Sequence, residues 1–197
     1  MSEAMPVKEP SEAMRSDHKQ IQTPHVRQAG PRDIDAIAEL SRRVQERLSS
    51  TGSLQVIGPL STRTVAAHVG SGNVWGLYDQ STLVGSAFVE PVTRASSELE
   101  HQMAQWGFDP TRNPIWFLSK LMIEPDLQGR GLGRVLLGVI KQQIAARCGS
   151  KSQSCLIVLD CWAGNDKLRA FYEENEFKLH GVFGEHDYEI AVFVWRC

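Results

Sequence analysis

From Ile34 the apolar positions Ile34, Ile37, Ala38, Leu40, Val44 and Leu48 return at steps of three and four, which keeps one face of an α-helix apolar. Ser49-Ser50-Thr51-Gly52 breaks the stripe, and Asp33 stands where the helix would take its N-cap. A shorter helix is expected from Ser61 or Thr62 to Val69, begun after Pro59 and stopped by Gly70 and Gly72. Residues 74–78 and 83–89 read as two strands around the polar tetrad Asp79-Gln80-Ser81-Thr82, an antiparallel hairpin. Residues 94–114 interrupt this pattern with an amphipathic half-helix and a turn-rich loop, a length often tied to function.

At residues 115–123 the run Ile-Trp-Phe-Leu-Ser-Lys-Leu-Met-Ile is mostly hydrophobic on both faces, as a central strand is, and Pro125 ends it. A glycine-rich loop leads into an apolar helix running to Arg147, and residues 156–162 form a second central strand. Residues 178–183 and 188–195 read as a closing hairpin, and residues 25–29 as a first short strand. Residues 1–24 hold hardly a large apolar side chain and are expected to be a disordered arm before one domain over 25–197.

Composition narrows the function. Lys and Arg number 21 against 23 Asp and Glu, a net charge of -2, which argues against a nucleic-acid partner. No apolar run has a membrane-spanning length and the first thirty residues lack a signal-peptide core, so a cytoplasmic protein without membrane attachment is expected. Cys148, Cys155, Cys161 and Cys197 form no C-x-x-C pair and the six His are scattered. The expectation is free thiols, no disulfide framework and no metal.

The chemistry centres on Gln128-Gly129-Arg130-Gly131-Leu132-Gly133-Arg134. Glycines let backbone approach a ligand, and the first amides of a helix lack intrahelical partners, so a pyrophosphate suits the place. The dinucleotide pattern G-x-G-x-x-G fails at Arg134, and the Lys-Ser or Lys-Thr of a P-loop is absent. Tight strand-to-helix packing is the structural alternative for such glycines. What matches is Q-x-x-G-x-G, at Gln128, Gly131 and Gly133, and it resembles the acyl-coenzyme A signature of the GNAT N-acetyltransferase superfamily. A second stretch is similar to the same family: Asn165, Leu168 three later, Tyr172 seven later, and Phe177 at the helix end. Two departures stand out, Leu168 for a usual Ala and Glu176 for a usual Gly, and a shifted helix end with Asn175 in the left-handed conformation is expected.

The resemblance implies an α/β fold, a mixed sheet of six or seven strands with helices on both faces, and fourth and fifth strands that splay apart. It implies acetyl-CoA as co-substrate, its pantetheine arm bonded by Leu121, Met122 and Ile123, and its diphosphate on amides from Gly129 through Arg134. Arg130 and Arg134 add charge there or are plain surface, and Asn165 caps its helix or reaches the cofactor arm. A Met122 or Ile123 amide would hold the oxyanion, and Tyr172 would be the acid. Asp160 would be the base, with Glu90 and Glu124 as competitors, Glu124 expected to be solvated. Lys120 would reach a carboxylate such as Asp160, and Cys161 would be a packed thiol.

The acceptor is expected to be a small-molecule amine, an amine antibiotic included. Alternatives are a protein N-terminus or lysine, and a non-catalytic acyl-CoA sensor. The 94–114 insertion and the second helix would wall the acceptor cleft. Trp75, Trp106, Phe108 and Trp162 are candidate linings, and the acids of residues 165–190 a candidate attraction for a cation. A monomer or homodimer is expected.

Overall fold

The computed structural model describes residues 24–93, 97–148, 155–185 and 187–197, so the expected N-terminal arm lies, up to residue 23, outside the described residues. In chain order the elements are β1 (His25–Gln28), α1 (Ile34–Ser50), α2 (Thr62–Gly70), β2 (Val74–Asp79), β3 (Thr82–Pro91), α3 (Ser97–Gln105), β4 (Ile115–Ile123), α4 (Leu132–Cys148), β5 (Leu156–Trp162), α5 (Asp166–Glu174), β6 (Lys178–Glu185) and β7 (Tyr188–Arg196). One seven-stranded sheet runs in the order β1-β2-β3-β4-β5-β7-β6. It is mixed because β4 and β5 are parallel, whereas every other neighbouring pair is antiparallel.

Strand alternation sorts the apolar side chains onto two faces. On one face Ala87 and Val89 of β3, Ile157 and Leu159 of β5, and Ala191 and Phe193 of β7 pack with Leu136, Leu137, Ile140 and Ile144 of α4. The other face is divided. Phe88 and Met122 lie under Ile37, Leu40 and Val44 of α1 and Val65 of α2. Val158, Val192 and Val194 lie under Met103 of α3, with Trp106 and Phe108 beyond it. Among the described residues no helix is long and apolar enough to cross a membrane.

Three local expectations are corrected. Asp33 does not cap α1 through its side chain. Its carboxylate accepts from the Gly30 amide at 2.7 Å and from Arg27 Nη1 at 2.8 Å, closing the 3-10 turn ahead of the helix. Burial alone would raise the pKa of Asp33, but these hydrogen bonds outweigh it and hold the carboxyl below its ordinary value. Its stabilisation is therefore present above about pH 4, the unfolded value, and lost as the pH falls through the lower folded value. Thermal unfolding of Asp33→Asn should show a deficit against the parent at neutral pH that shrinks in acid; a deficit constant with pH would contradict this.

At the end of α5, Asn175 keeps φ at -98°, and Glu176 itself takes the left-handed conformation at φ 67°. The reversal puts Phe177, 2% exposed, into the core. A non-Gly residue pays roughly 1 kcal/mol for that conformation. Lys141 meets the Glu176 carboxylate, and the Asn175 side chain donates to Phe171 O at 2.7 Å.

Finally, Cys155 and Cys197 are not free thiols but are joined as a disulfide, whereas Cys148 and Cys161 are free. Leu156 pairs with Arg196 in the β5–β7 ladder, which sets the flanking residues 155 and 197 opposite each other with Cα atoms 5.5 Å apart. Motif spacing along the chain carries no trace of this cross-strand pairing.

Candidate active site

The site begins with a phase change in β4. Trp116 and Leu118 face the α4 side of the sheet, and so do Leu121 and Ile123, three residues further on rather than two. Lys120 absorbs the extra residue as a bulge with φ 50°, and the β3 register shifts there, Ser86 facing Met122 and Phe88 facing Ser119. Beside the bulge β4 leaves β5. Their pairing covers only Ile115 to Phe117 against Leu156 to Val158, although both strands continue. Backbone groups of residues 118–123 directed toward β5 therefore meet no strand there.

The opening holds a cavity of about 200 Å³ lined by Phe117 to Leu121 of β4, Asp160 of β5, Leu168 and Tyr172 of α5, and Gln55 to Ile57 of the α1–α2 connection. Gln45 of α1 straps this connection down, its Oε1 accepting from the Ile57 and Gly58 amides at 2.8 and 3.1 Å. Gln55 then reaches across the splay, where its Oε1 accepts from the Trp162 amide. No motif marked Gln55 in advance. Leu168, the departure from a small residue, narrows this cavity.

Tyr172 is 4% exposed and packed among the rings of Phe171, Phe177 and Phe193. Burial first, and then the neighbouring Cys161 and Asp160, push its pKa well above the ordinary phenol value, so it remains a neutral donor. Asp160 is raised to about 6, chiefly by burial and next by Glu185, with Lys120 acting in the opposite direction. It stays mostly ionised at pH 7 yet is far more basic than an ordinary carboxylate. Cys161 is pushed up to about 12 by burial and remains a packed thiol.

Beyond β4 the loop turns toward α4. Gly129 and Gly131 have φ values of 78° and 79°, with nothing within 4 Å of where a Cβ would project. The first helical amide with a backbone partner is that of Val135, donating to Gly131 O, and those of residues 129–134 find none. Open space, bare amides and the helix N-terminus fit an anionic phosphate linker. Gly133 serves a different end. A Cβ there would come 3.0 Å from the Phe171 ring, so it is the contact of α4 on α5 that excludes a side chain.

Gln128 donates its side-chain amide to Ile123 O at 3.1 Å, tying the loop to the end of β4. Arg130 donates to Asp126 O, and Arg134 meets Glu174 at 3.5 Å, both arginines at the exposed rim. Asn165 caps α5, accepting from the Leu168 amide at 3.1 Å.

A second cavity, about 730 Å³, lies outside the first. It is lined by His68 of α2, Glu98, His101 and Gln102 of α3, Glu90 of β3 and Glu185 of β6, among others. Gln102, Phe117, Ser119 and Lys120 line both cavities, so the two adjoin. Glu90 thus stands in the outer cavity, while Asp160 and Tyr172 stand together in the inner one.

Several candidates belong elsewhere. Glu124 is not simply solvated, since it takes a two-pronged bond from Arg43 at 2.8 and 3.0 Å. Trp75, Trp106 and Phe108 are core, and Trp162 lines neither cavity. Of the acids in residues 165–190, Glu185 lines the outer cavity and none lines the inner one; Glu174, Glu176 and Asp166 are in ion pairs with Arg134, Lys141 and Arg169. Lys120 acts on Asp160 through space rather than through a salt bridge.

The sequence profile of the Acetyltransferase (GNAT) family matches residues 45–177. No curated protein sequence matches the chain. Solved structures share the fold. A GNAT-family acetyltransferase from Streptococcus agalactiae is 17% identical over 88% of this chain and 95% of that one, with a TM-score of 0.67. Arabidopsis thaliana NAA60, solved in complex with acetyl-CoA, is 16% identical over 88% and 98%, with a TM-score of 0.65. A ribosomal-protein-alanine N-acetyltransferase from Escherichia coli is 16% identical over 88% and 94%, with a TM-score of 0.60. The matched stretch takes in both motifs and the strands beside them, and covers well over half of the sequence: the chain belongs to the GNAT acetyltransferase family.

Proposed function

We propose that the protein transfers an acetyl group from acetyl-CoA to the primary amine of a small cationic molecule, by direct attack within a ternary complex. The observation that carries this reading is the junction of the two cavities at β4. The inner one holds Asp160 and Tyr172, and the outer one offers about 730 Å³ and three carboxylates to an acceptor. That volume lies within the range of small-molecule sites. Glu90, Glu98 and Glu185 favour a positively charged ligand.

Acetyl-CoA supplies the acyl group as an activated thioester. Amides of residues 129–134, aided at the rim by Arg130 and Arg134, hold the diphosphate, and the backbone of Leu121, Met122 and Ile123 pairs with the pantetheine amides as an added strand would. An amide of Met122 or Ile123 stabilises the oxyanion. An alkyl ammonium has a pKa of about 10.4, so roughly one molecule in a few thousand is neutral at pH 7. Asp160, directly or through one water, takes the proton as the amine attacks, and the Tyr172 hydroxyl donates to the departing sulfur.

Release of coenzyme A thiol across a panel of diamines, aminoglycosides, peptides with free N-termini and lysine peptides tests this. Turnover is expected with small polycations and not with peptides. Turnover on peptides alone would assign the protein-acetylating reading. Tight acetyl-CoA binding with no turnover on any amine would make the chain a sensor.

A further inference from the structure

At the opposite end of β5 from Asp160, five residues and about 17 Å along the strand, three sulfurs meet. Those of Cys148, Cys155 and Cys197 all lie within 4.8 Å of one another. Cys148 is the last residue of α4, Cys155 immediately precedes β5, and Cys197 immediately follows β7. Cys155 and Cys197 are bonded, and Cys148 is a half-buried free thiol beside them. The fourth cysteine, Cys161, is buried inside β5 and is not part of the cluster.

We propose that these three residues form a thiol–disulfide exchange site, in which the Cys148 thiolate attacks the Cys155 sulfur and displaces Cys197. A sulfur–sulfur bond forms between Cys148 and Cys155, the one between Cys155 and Cys197 breaks, and its electron pair leaves on the Cys197 sulfur. Cys148 gives up its proton to water and Cys197 recovers one, so no oxidant or reductant is consumed. Solvation sets the direction of attack. Cys197 is exposed, and its thiolate leaves into water, whereas Cys155 is fully buried and would leave as a desolvated anion.

The exchange moves the crosslink from between two strands to between α4 and β5. The Cys197 amide donates to Cys155 O at 3.1 Å, which keeps the released thiol close enough to reverse the step. The exposed thiol of Cys197 is then the group open to modification by an external disulfide or electrophile.

Alkylating the native full-length protein with iodoacetamide, without reductant, and mapping the label after denaturation tests this directly. The expected result is a single label per cluster, on Cys148 in some molecules and on Cys197 in others. Label on Cys148 alone would mean a static disulfide and overturn the proposal, as would chains labelled at both Cys148 and Cys197. In C148S, labelling of Cys197 should fall at least ~10-fold, since the attacking thiol is gone. C197S treated with oxidised glutathione gives a second measurement. It should close a Cys148–Cys155 bond, and glutathione retained on Cys155 would overturn the assignment.

Discussion

Replacing Asp160 with Asn is expected to lower kcat by roughly 10²- to 10⁴-fold, the range of a positioned general base, while leaving acetyl-CoA affinity nearly unchanged. The reason is its place in the splay. Burial and Glu185 raise the carboxyl to about 6, basic enough to take the proton that the amine nitrogen sheds as it attacks the thioester, and still ionised at neutral pH. The sign follows from the charge. As the pH falls through about 6 the carboxylate is protonated, and kcat/KM should drop about tenfold for each further pH unit if the base is required in its ionised form. In Asp160→Asn that acid limb should disappear along with most of the rate. Steady-state kinetics between pH 5 and 9 on the best amine of the panel would show it. An unchanged acid limb in the variant would move the base elsewhere, with Glu90 in the outer cavity the next to be replaced.

Gly131→Asp should weaken acetyl-CoA binding by roughly 100-fold, about 3 kcal/mol. Two effects add. The φ of 79° disfavours any side chain by about 1–2 kcal/mol, and the carboxylate brings negative charge to a cradle of bare amides suited to a diphosphate. Gly131→Ala keeps only the first effect and should cost about fivefold to tenfold. Gly133→Val supplies the contrast. Its Cβ meets Phe171 rather than open space, so it should lower the unfolding temperature by disturbing the α4–α5 contact. Calorimetric titration with acetyl-CoA beside thermal unfolding separates the two kinds of glycine. Equal affinities for the parent and Gly131→Asp would remove the cradle from the binding reaction.

Local periodicity exposed much of the fold. The α1 stripe, the β2–β3 hairpin around Gln80-Ser81 and the runs that became β4 and β5 were all legible, because burial on one face or two leaves a pattern a few residues long. The bulge at Lys120 was also written there, as the three-residue step between Leu118 and Leu121, but one charged residue in an apolar strand drew attention to a salt bridge instead. Gln55 left no mark at all. Its importance comes from a side chain reaching 107 positions along the chain to the Trp162 amide. The aromatic residues misled in the other direction, since a Trp that fills a core and one that lines a cleft have the same neighbours in sequence.

The amino-acid order by itself determined the order of the elements, the glycine loop with its bare amides and the pairing of Asn165 with Tyr172 on one short helix, because each depends on contacts within a few residues. Only tertiary structure decided that Asp160 and Tyr172 line one cavity, that α2, α3 and β6 wall another, and that Cys155 meets Cys197. Those outcomes depend on which strands become neighbours and in what register, and register is set by packing of the whole sheet against its helices.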